Sequence, residues 1–448
     1  MLAQIKLTDF KAFQTASLNL RPITVLIGPN NSGKSSLLAG VRLLAQTIQS
    51  RDPGLPLLLD GPLGDFGTYR DLVYGNHRGR PFGLEFATIQ ESADGPSRSR
   101  LELEFKYRTV RRELVLRQSA LYRDNQHLIT ATLSKDFERH LITRLDRHNV
   151  PPAQRSALAD SLHLYNFLPR LFLWRRAGRK VSISRVVAEE RLPILANEIE
   201  ESVFGMIEAL EEVDYLGAMR RAPERTYHQT GAASRRIGAY GENWAGLLVL
   251  DAARPARSRR IVPRLIQWLK KAGLASDVRL NWLSDRHYEV QVQHPTTGEY
   301  QNLADVGQAN SQVLPVLIGG FRLPAGATYL VEEPEIHLHP RAQAHLGDFL
   351  SDLHEAGVQT LVETHSEYLI LRLQQHIAAG VIKPRDIAFY YVHAAGSSKR
   401  IRELRVDELG LFDTPLDQGF FPQRLEEARN LALIRSARRG GDGSPSGD

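Results

Sequence analysis

The sequence predicts an α/β protein, a mixed and largely parallel sheet with helices on both sides, interrupted along the chain by an α+β insertion. Three observations lead there. A continuous apolar run, Ile23-Thr24-Val25-Leu26-Ile27, runs into a glycine-rich turn and then an amphipathic helix. Strand and helix patterns alternate again between residues 327 and 392, and the stretch between these two parts mixes short alternating strands with helical periodicity.

Taken in order, residues 2 to 7 and 23 to 27 read as strands, the second apolar enough to be buried on both faces. The helix expected from about Gly33 to Gln49 carries Leu37, Leu38, Val41, Leu44, Ala45 and Ile48 at helical spacing. Pro53, Gly54, Pro56, Gly61, Pro62, Gly64 and Gly67 then mark an irregular loop. Strand patterns at 82–90, 101–107 and 111–118 predict an antiparallel sheet. From about 153 to 213 the pattern is largely helical, and Tyr288 to His294 alternates like a half-buried strand before a turn at Thr296, Thr297 and Gly298. Strand 327–331, helix 340–355, strand 358–363, helix 366–378 and strand 387–392 complete a doubly wound pattern. The last ten residues, from Arg439, are expected to be disordered.

With 42% hydrophobic and 24% charged residues over 448 positions, the composition is that of a folded soluble protein of two or three domains. No run approaches the length of a membrane span, and Met1 to Lys6 enters a strand pattern instead of a signal peptide, so the expected location is cytoplasmic with no membrane partner. The absence of cysteine excludes disulfides and thiolate metal sites. Net charge is only +6, but arginines crowd residues 98–117, 170–180, 220–236 and 254–271. Such runs can grip nucleic-acid phosphates, although salt bridges on a solvated face are their more frequent meaning.

Gly28-Pro29-Asn30-Asn31-Ser32-Gly33-Lys34-Ser35 is the strongest local signal. A glycine-rich turn between a buried strand and a helix N-terminus lets successive backbone N–H groups, about Asn31 to Ser35, face one polyphosphate, and Asn30, Asn31, Ser32, Gly33, Lys34, Ser35 and Ser36 are the expected nucleotide-binding residues. Lys34 is expected to reach the β and γ phosphates of ATP, and Ser35 to present its hydroxyl to Mg²⁺. A second signal is Leu330-Val331-Glu332-Glu333-Pro334-Glu335, an apolar strand ending in paired carboxylates at the edge where an open α/β sheet binds its ligand. Glu332 is the expected magnesium acid and Glu333 the base that deprotonates the attacking water. The strand ending at Glu363 leads into Thr364-His365-Ser366, so His365 is expected at the same edge, donating to the γ-phosphate. His337, His339 and His345 with Glu335 suggest a zinc cluster, but the helical spacing of a zinc protease is missing. No nuclease pattern is evident.

Together these residues resemble the ABC-type ATPases of the SMC, RecF and OLD-like group, in particular compact stand-alone members found in antiphage defence. Ile5 to Phe13 is similar to the opening strand and turn of that group, Glu332 to Pro340 to its Walker B and D-loop, and Thr364-His365-Ser366 to its switch histidine. Tyr215 to Arg220, Pro223 to Tyr227, Gly241-Glu242-Asn243 and Gly419-Phe420-Phe421 resemble stretches of the stand-alone members. The resemblance implies an ABC-type P-loop NTPase fold and a head-to-tail dimer in which one subunit's signature motif meets ATP on the other. Asp305 to Gln312 stands where that motif belongs but departs from Leu-Ser-Gly-Gly, leaving Gly307 or Ser311 as the contact; Asp65 to Asp71 is the candidate Q-loop region. The implied organisation is 1–90 and 301–400 as the two halves of the ATPase, 91–300 as an arginine-rich insertion, and 401–448 as a small extension with the tail. Without a hydrolytic domain of its own, the chain is expected to form homodimers or larger assemblies and to control a separate effector such as a nuclease or toxin, with DNA as a candidate partner. Two rivals remain, an ATPase of DNA repair or recombination acting on DNA directly, and a nucleotide-dependent scaffold with little turnover.

Overall fold

Strands buried on both faces, their side chains alternating between two cores, organise the centre of the molecule. The computed structural model describes residues 1–50, 52–92, 95–137, 139–145, 162–170, 192–229, 231, 234–396 and 398–413. In chain order come β1 (Leu2–Phe10), β2 (Phe13–Asn19), β3 (Ile23–Ile27) and α1 (Lys34–Ile48). Next are β4 (Phe82–Ser92), β5 (Gly95–Arg108), β6 (Glu113–Arg123), β7 (Gln126–Leu133) and β8 (His140–Arg144), then α2 (Leu192–Glu211) and β9 (Val213–Leu216). Helices α3 (Trp244–Ala252) and α4 (Val262–Ala272) precede the antiparallel pair β10 (Asp277–Trp282) and β11 (His287–Gln293). The chain then runs through α5 (Gln308–Phe321), β12 (Thr328–Glu332), α6 (Pro340–Glu355), β13 (Gln359–Glu363), α7 (Glu367–Ala378), β14 (Ile387–Ala395) and β15 (Ser398–Leu404).

Two large sheets result. The antiparallel one has the order β8-β7-β6-β5-β4-β1-β2; the other, β9-β12-β13-β3-β14-β15, is parallel except for its last strand. Tyr329, Val331, Val362, Ile23, Val25 and Ile27 project into a core shared with α3 to α7, while Leu330, Leu361 and Leu26 enter a second core shared with α1, α2 and the antiparallel sheet. Each such side chain contributes roughly 2 kcal/mol by leaving water, so the central strands are apolar throughout instead of alternating.

The strand and helix alternation expected after residue 327 is present, and the strands at 82–118 belong to an antiparallel sheet. The helical pattern expected across 153–213 is realised as α2, whereas His163–Tyr165 and Leu168–Arg170 form a hairpin. Asn166 turns that hairpin with a positive φ of 55° and donates its side-chain amide to the Asp52 and Leu55 carbonyls, contacts that outweigh helical periodicity. Residues 146–161 and 171–191, the Gly419-Phe420-Phe421 segment and the expected tail lie outside the described residues.

The two sheets are riveted by Gln359, which is 2% exposed. Its Oε1 accepts from Leu2 N–H and from the Thr328 hydroxyl, both at 3.1 Å, and its amide donates to Leu2 O at 2.8 Å and Arg21 O at 3.1 Å. Replacing it with leucine removes a partner from the Leu2 N–H and carbonyl and leaves the Arg21 carbonyl only the Thr24 hydroxyl at 3.4 Å. Gln359→Leu is therefore expected to lower stability by about 2–4 kcal/mol, read as a shifted denaturant midpoint; an unshifted midpoint would deny Gln359 this role.

Candidate functional site

The loop from β3 to α1 is shaped by residues that tolerate unusual backbone angles. Gly28 has φ 147°, and a Cβ there would lie 2.0 Å from Val392 O, so no side chain fits. Asn31 at φ 61° and Gly33 at φ 104° complete the turn, and α1 starts at Lys34 with no side-chain cap. Its first N–H groups are thus left facing the loop cavity at the positive end of the helix dipole. Asn30, Asn31 and Ser35 are exposed, Ser36 N–H turns back to Gly33 O at 3.0 Å, and Ser32 Oγ is buried without a partner. Lys34, 3% exposed, donates to Gly28 O at 2.9 Å and Pro29 O at 3.1 Å. From the edge strand β15, Lys399 donates to Asn31 O at 2.6 Å and braces the loop.

Parallel register brings the acids to this loop. Glu332 lies opposite Glu363 across β12 and β13, and Glu363 opposite Leu26 across β13 and β3. Ser35 Oγ donates to Glu363 Oε2 at 2.9 Å, and Lys34 Nζ is 3.6 Å from Glu363 Oε1. The acid that meets the loop is therefore Glu363, a residue to which the sequence reading gave no role. Glu332 instead faces Arg42 of α1, 3.5 Å away, whose guanidinium lies 3.6 Å from the centroid of Tyr215. Glu333 adopts a left-handed φ of 43°, donates its N–H to Glu363 O at 2.7 Å, and places Oε1 3.9 Å from His365 Nε2. One ligand atom from each of Glu333, Glu363 and His365 lies within 4.8 Å of the others. Glu335, 7% exposed, ties the turns after β12 and β13 together by accepting from Thr364 Oγ1 at 2.8 Å and His365 N–H at 2.5 Å.

These acids sit uneasily without a cation. Burial pushes Glu363 up to about 7, with Glu332 adding to the rise and the Ser35 bond and Lys34 opposing it. Burial also raises Glu332 against the pull of Arg42, and raises Glu335. His365 is lowered by burial and by Lys34, with Glu333 pulling the other way. The cluster combines a phosphate-sized amide turn, a lysine, a hydroxyl and carboxylates that would gain from a divalent ion.

Gly307 and Ser311 are engaged within their own helix: Gly307 caps α5, and Ser311, 4% exposed, donates to Gln308 O at 3.0 Å. Among the described residues no hydrogen bond or ion pair joins 305–312 to 28–36. His339 caps α6 and His345 pairs with Asp348 at 2.7 Å, while His337 occupies a turn at φ 63°. Asp65 to Asp71 forms a short turn closed by a Thr68 and Asp71 capping box. Besides Glu363, the sequence reading overlooked Arg42, Tyr215 and Arg220 as walls of this site. The one available signal was the repeated Leu-Val-Glu ending both β12 and β13, at 330–332 and 361–363.

The arginine runs do not share one environment. Arg100 pairs with Glu85 and Glu102, Arg108 with Glu113 and Arg117 with Glu104, so the 98–117 run is largely cross-strand ion pairs. In the 220–236 run Arg220 and Arg236 donate to backbone carbonyls and Arg225 pairs with Asp305. Arg254, Arg257, Arg259 and Arg260 are exposed within 252–276, a stretch with no acidic residue.

This strand, phosphate-loop and acid arrangement defines the class: an α/β protein with the ABC-type P-loop NTPase fold. Residues 23–372 match the family described as "AAA domain, putative AbiEii toxin, Type IV TA system", and the chain belongs to that family. Membership implies nucleotide binding. The chain is also similar to the DNA replication and repair protein RecF of Renibacterium salmoninarum, 37% identical over 103 residues covering 22% of this chain and 24% of the relative. To RecF of Paenarthrobacter aurescens it is 28% identical over 215 residues, covering 43% of this chain and 51% of the relative. The chain thus spans about half the length of these relatives or less. Among solved structures, the SMC head domain from Thermotoga maritima matches with a TM-score of 0.40 and 10% identity over 90% of this chain and 99% of that one. The Smc head of Pyrococcus furiosus bound to the C-terminal domain of ScpA matches with 0.41 and 11% over 97% and 99%. Among the described residues no helix is long and apolar enough to cross a membrane.

The raised Glu363 value carries a pH signature. An acid whose folded value of about 7 exceeds the ordinary 4.5 contributes stability that is complete below 4.5 and lost as pH rises through 7. Glu363→Gln is expected to stabilise the nucleotide-free protein at pH 8, on the order of 2 kcal/mol, with the difference closing toward pH 5. Thermal melts across that range check it, and a difference independent of pH would speak against a strained carboxylate.

Proposed function

We propose that the chain binds and hydrolyses Mg·ATP in a head-to-tail dimer and uses the ATP-bound assembly as a sensor or scaffold that controls a separate effector protein, in antiphage defence. The meeting of Lys34, Ser35, Glu333, Glu363 and His365 at one sheet edge is the observation that carries this reading. The amides of about Asn31 to Ser35 take the phosphates and Lys34 exchanges its loop carbonyls for phosphate oxygens. Ser35 and Glu363, whose side chains meet at 2.9 Å, would hold the magnesium, and Glu332 would join them by leaving Arg42. The uncapped helix start, the buried unpartnered Ser32 hydroxyl and the convergent carboxylates all suit such a ligand. Bound magnesium supplies charge neutralisation on the transferring phosphoryl group.

Glu333 accepts a proton from the attacking water, and His365, kept toward its neutral form, donates to the γ-phosphate side of the site. Gly307 or Ser311 of a second copy completes the site, which accords with their making no hydrogen bond or ion pair to the loop of their own chain among the described residues. The family's description names a toxin of a type IV system, which supports work alongside a partner in defence. Glu333→Gln is expected to reduce phosphate release at least about 100-fold while lengthening the life of the ATP-bound assembly. Phosphate release at the wild-type rate in that variant would remove Glu333 from its role.

A second reading, an ATPase acting on DNA directly, is favoured by the similarity to RecF and by the acid-free basic stretch 252–276. It predicts duplex binding that weakens steeply with salt, and that is lost when Arg254, Arg257, Arg259 and Arg260 are replaced by alanine but kept when Arg117 is. Mobility shifts across a salt series measure this; salt-insensitive binding, or none, excludes the reading.

A further inference from the structure

The loop after β9 carries an arginine that nucleotide chemistry leaves without a task. Arg220 donates Nη2 to Glu332 O at 2.8 Å and to Glu333 O at 2.9 Å, and Nη1 to Gln312 O at 3.4 Å. One planar guanidinium thus joins the carbonyls of both strand-end acids to α5. Its loop is itself fixed, by Gly217 N–H on Ala239 O at 2.9 Å and Arg221 N–H on Tyr240 O at 3.0 Å.

Both ends of this bridge are unusual backbone. Glu333 holds a left-handed φ of 43°, a conformation that costs a non-glycine residue about 1–2 kcal/mol and persists only when neighbours impose it. Glu363 O grips its N–H from one side and Arg220 its carbonyl from the other. In α5, Pro315 has no N–H to offer the Ser311 carbonyl, so the helix is softened one residue before the carbonyl that Arg220 engages. The segment that fixes the loop reaches this point too, since a Cβ on Gly241 would stand 2.9 Å from Pro315 Cβ. Arg220 Nε is out of solvent with no acceptor, a penalty that an apolar side chain filling the same space would not incur.

We infer that Arg220 is a positioning residue that couples helix α5 to Glu333, so that a shift of α5 on meeting a second copy's nucleotide moves the Glu333 carboxylate. This deepens the proposed function and rests on it for the trigger. The bridge itself stands on contacts within one chain. A lysine ammonium, a point charge on a flexible stem, cannot span three carbonyls in one plane and would restore the bridge only in part.

The test uses the full chain with Arg220→Met and Arg220→Lys, measuring affinity for a fluorescent ATP analogue, assembly, turnover, and amide exchange of residues 333–336 without nucleotide. Coupling predicts that the Met variant keeps nucleotide affinity and assembly within about two-fold but loses turnover on the order of 10- to 100-fold. Exchange at 333–336 should quicken, and the Lys variant should fall between. Wild-type turnover in the Met variant would overturn the inference, as would a loss of turnover matched by an equal loss of affinity. If the Met variant does not fold, the Lys variant decides by the same split. A wild-type protein without turnover would sink the ATPase reading separately, and unchanged exchange in either variant would still overturn the bridge.

Discussion

Register across three parallel strands is the constraint on which the site depends. With Glu332 opposite Glu363 and Glu363 opposite Leu26, the turns leaving β12, β13 and β3 emerge at one edge within hydrogen-bond reach of each other. Side chains alternate between two cores, so a slip of one residue would send Val25, Val331 and Val362 to the wrong face and withdraw Glu363 from Ser35. Because both faces are apolar, amphipathic pattern alone does not set this register. Backbone bonds beyond the strand ends do, notably Gln359 N–H on Ala327 O, Thr360 N–H on Pro22 O and Thr364 N–H on Leu26 O.

Much of this was legible in the sequence because it is local. The run from Ile23 through Ser35 contains its own strand, turn glycines and helix start, and the strand ends at Glu333 and His365 announce themselves by apolar residues stopping at polar ones. Glu363 was not legible, because a glutamate closing a buried strand looks like a boundary until its neighbour's hydroxyl is known. Arg42, Tyr215 and Arg220 were hidden for a related reason: the groups they touch lie more than a hundred positions away or across a helix, and no periodicity encodes such contacts.

The arginine runs show the opposite difficulty, a clear signal with two meanings. On β5 and β6 arginine and glutamate recur on paired strands, and cross-strand partners that face the same way neutralise one another. The 254–260 segment lies in a loop between α3 and α4, has no adjacent strand to supply acids, and remains exposed. Charge in a sequence therefore becomes interpretable as a surface only once the pairing of the elements is known.

Lys34 illustrates how such a site stays folded before it meets a ligand. A lysine 3% exposed would be untenable without partners, and here the Gly28 and Pro29 carbonyls and the Glu363 carboxylate serve. Glu332 leans on Arg42 in the same manner, while Glu333 has only His365 Nε2, 3.9 Å away and without a hydrogen bond of its own. The acids are thus met incompletely, and burial, with Glu332 alongside, pushes Glu363 up to about 7. A ligand bearing both phosphate and a divalent cation would relieve both imbalances together, its oxygens replacing the carbonyls on Lys34 and its cation taking up the carboxylates. Phosphate alone would bring further negative charge to Glu363, and a cation alone would leave Lys34 and the helix start turned inward, which is the physical ground for proposing the two together.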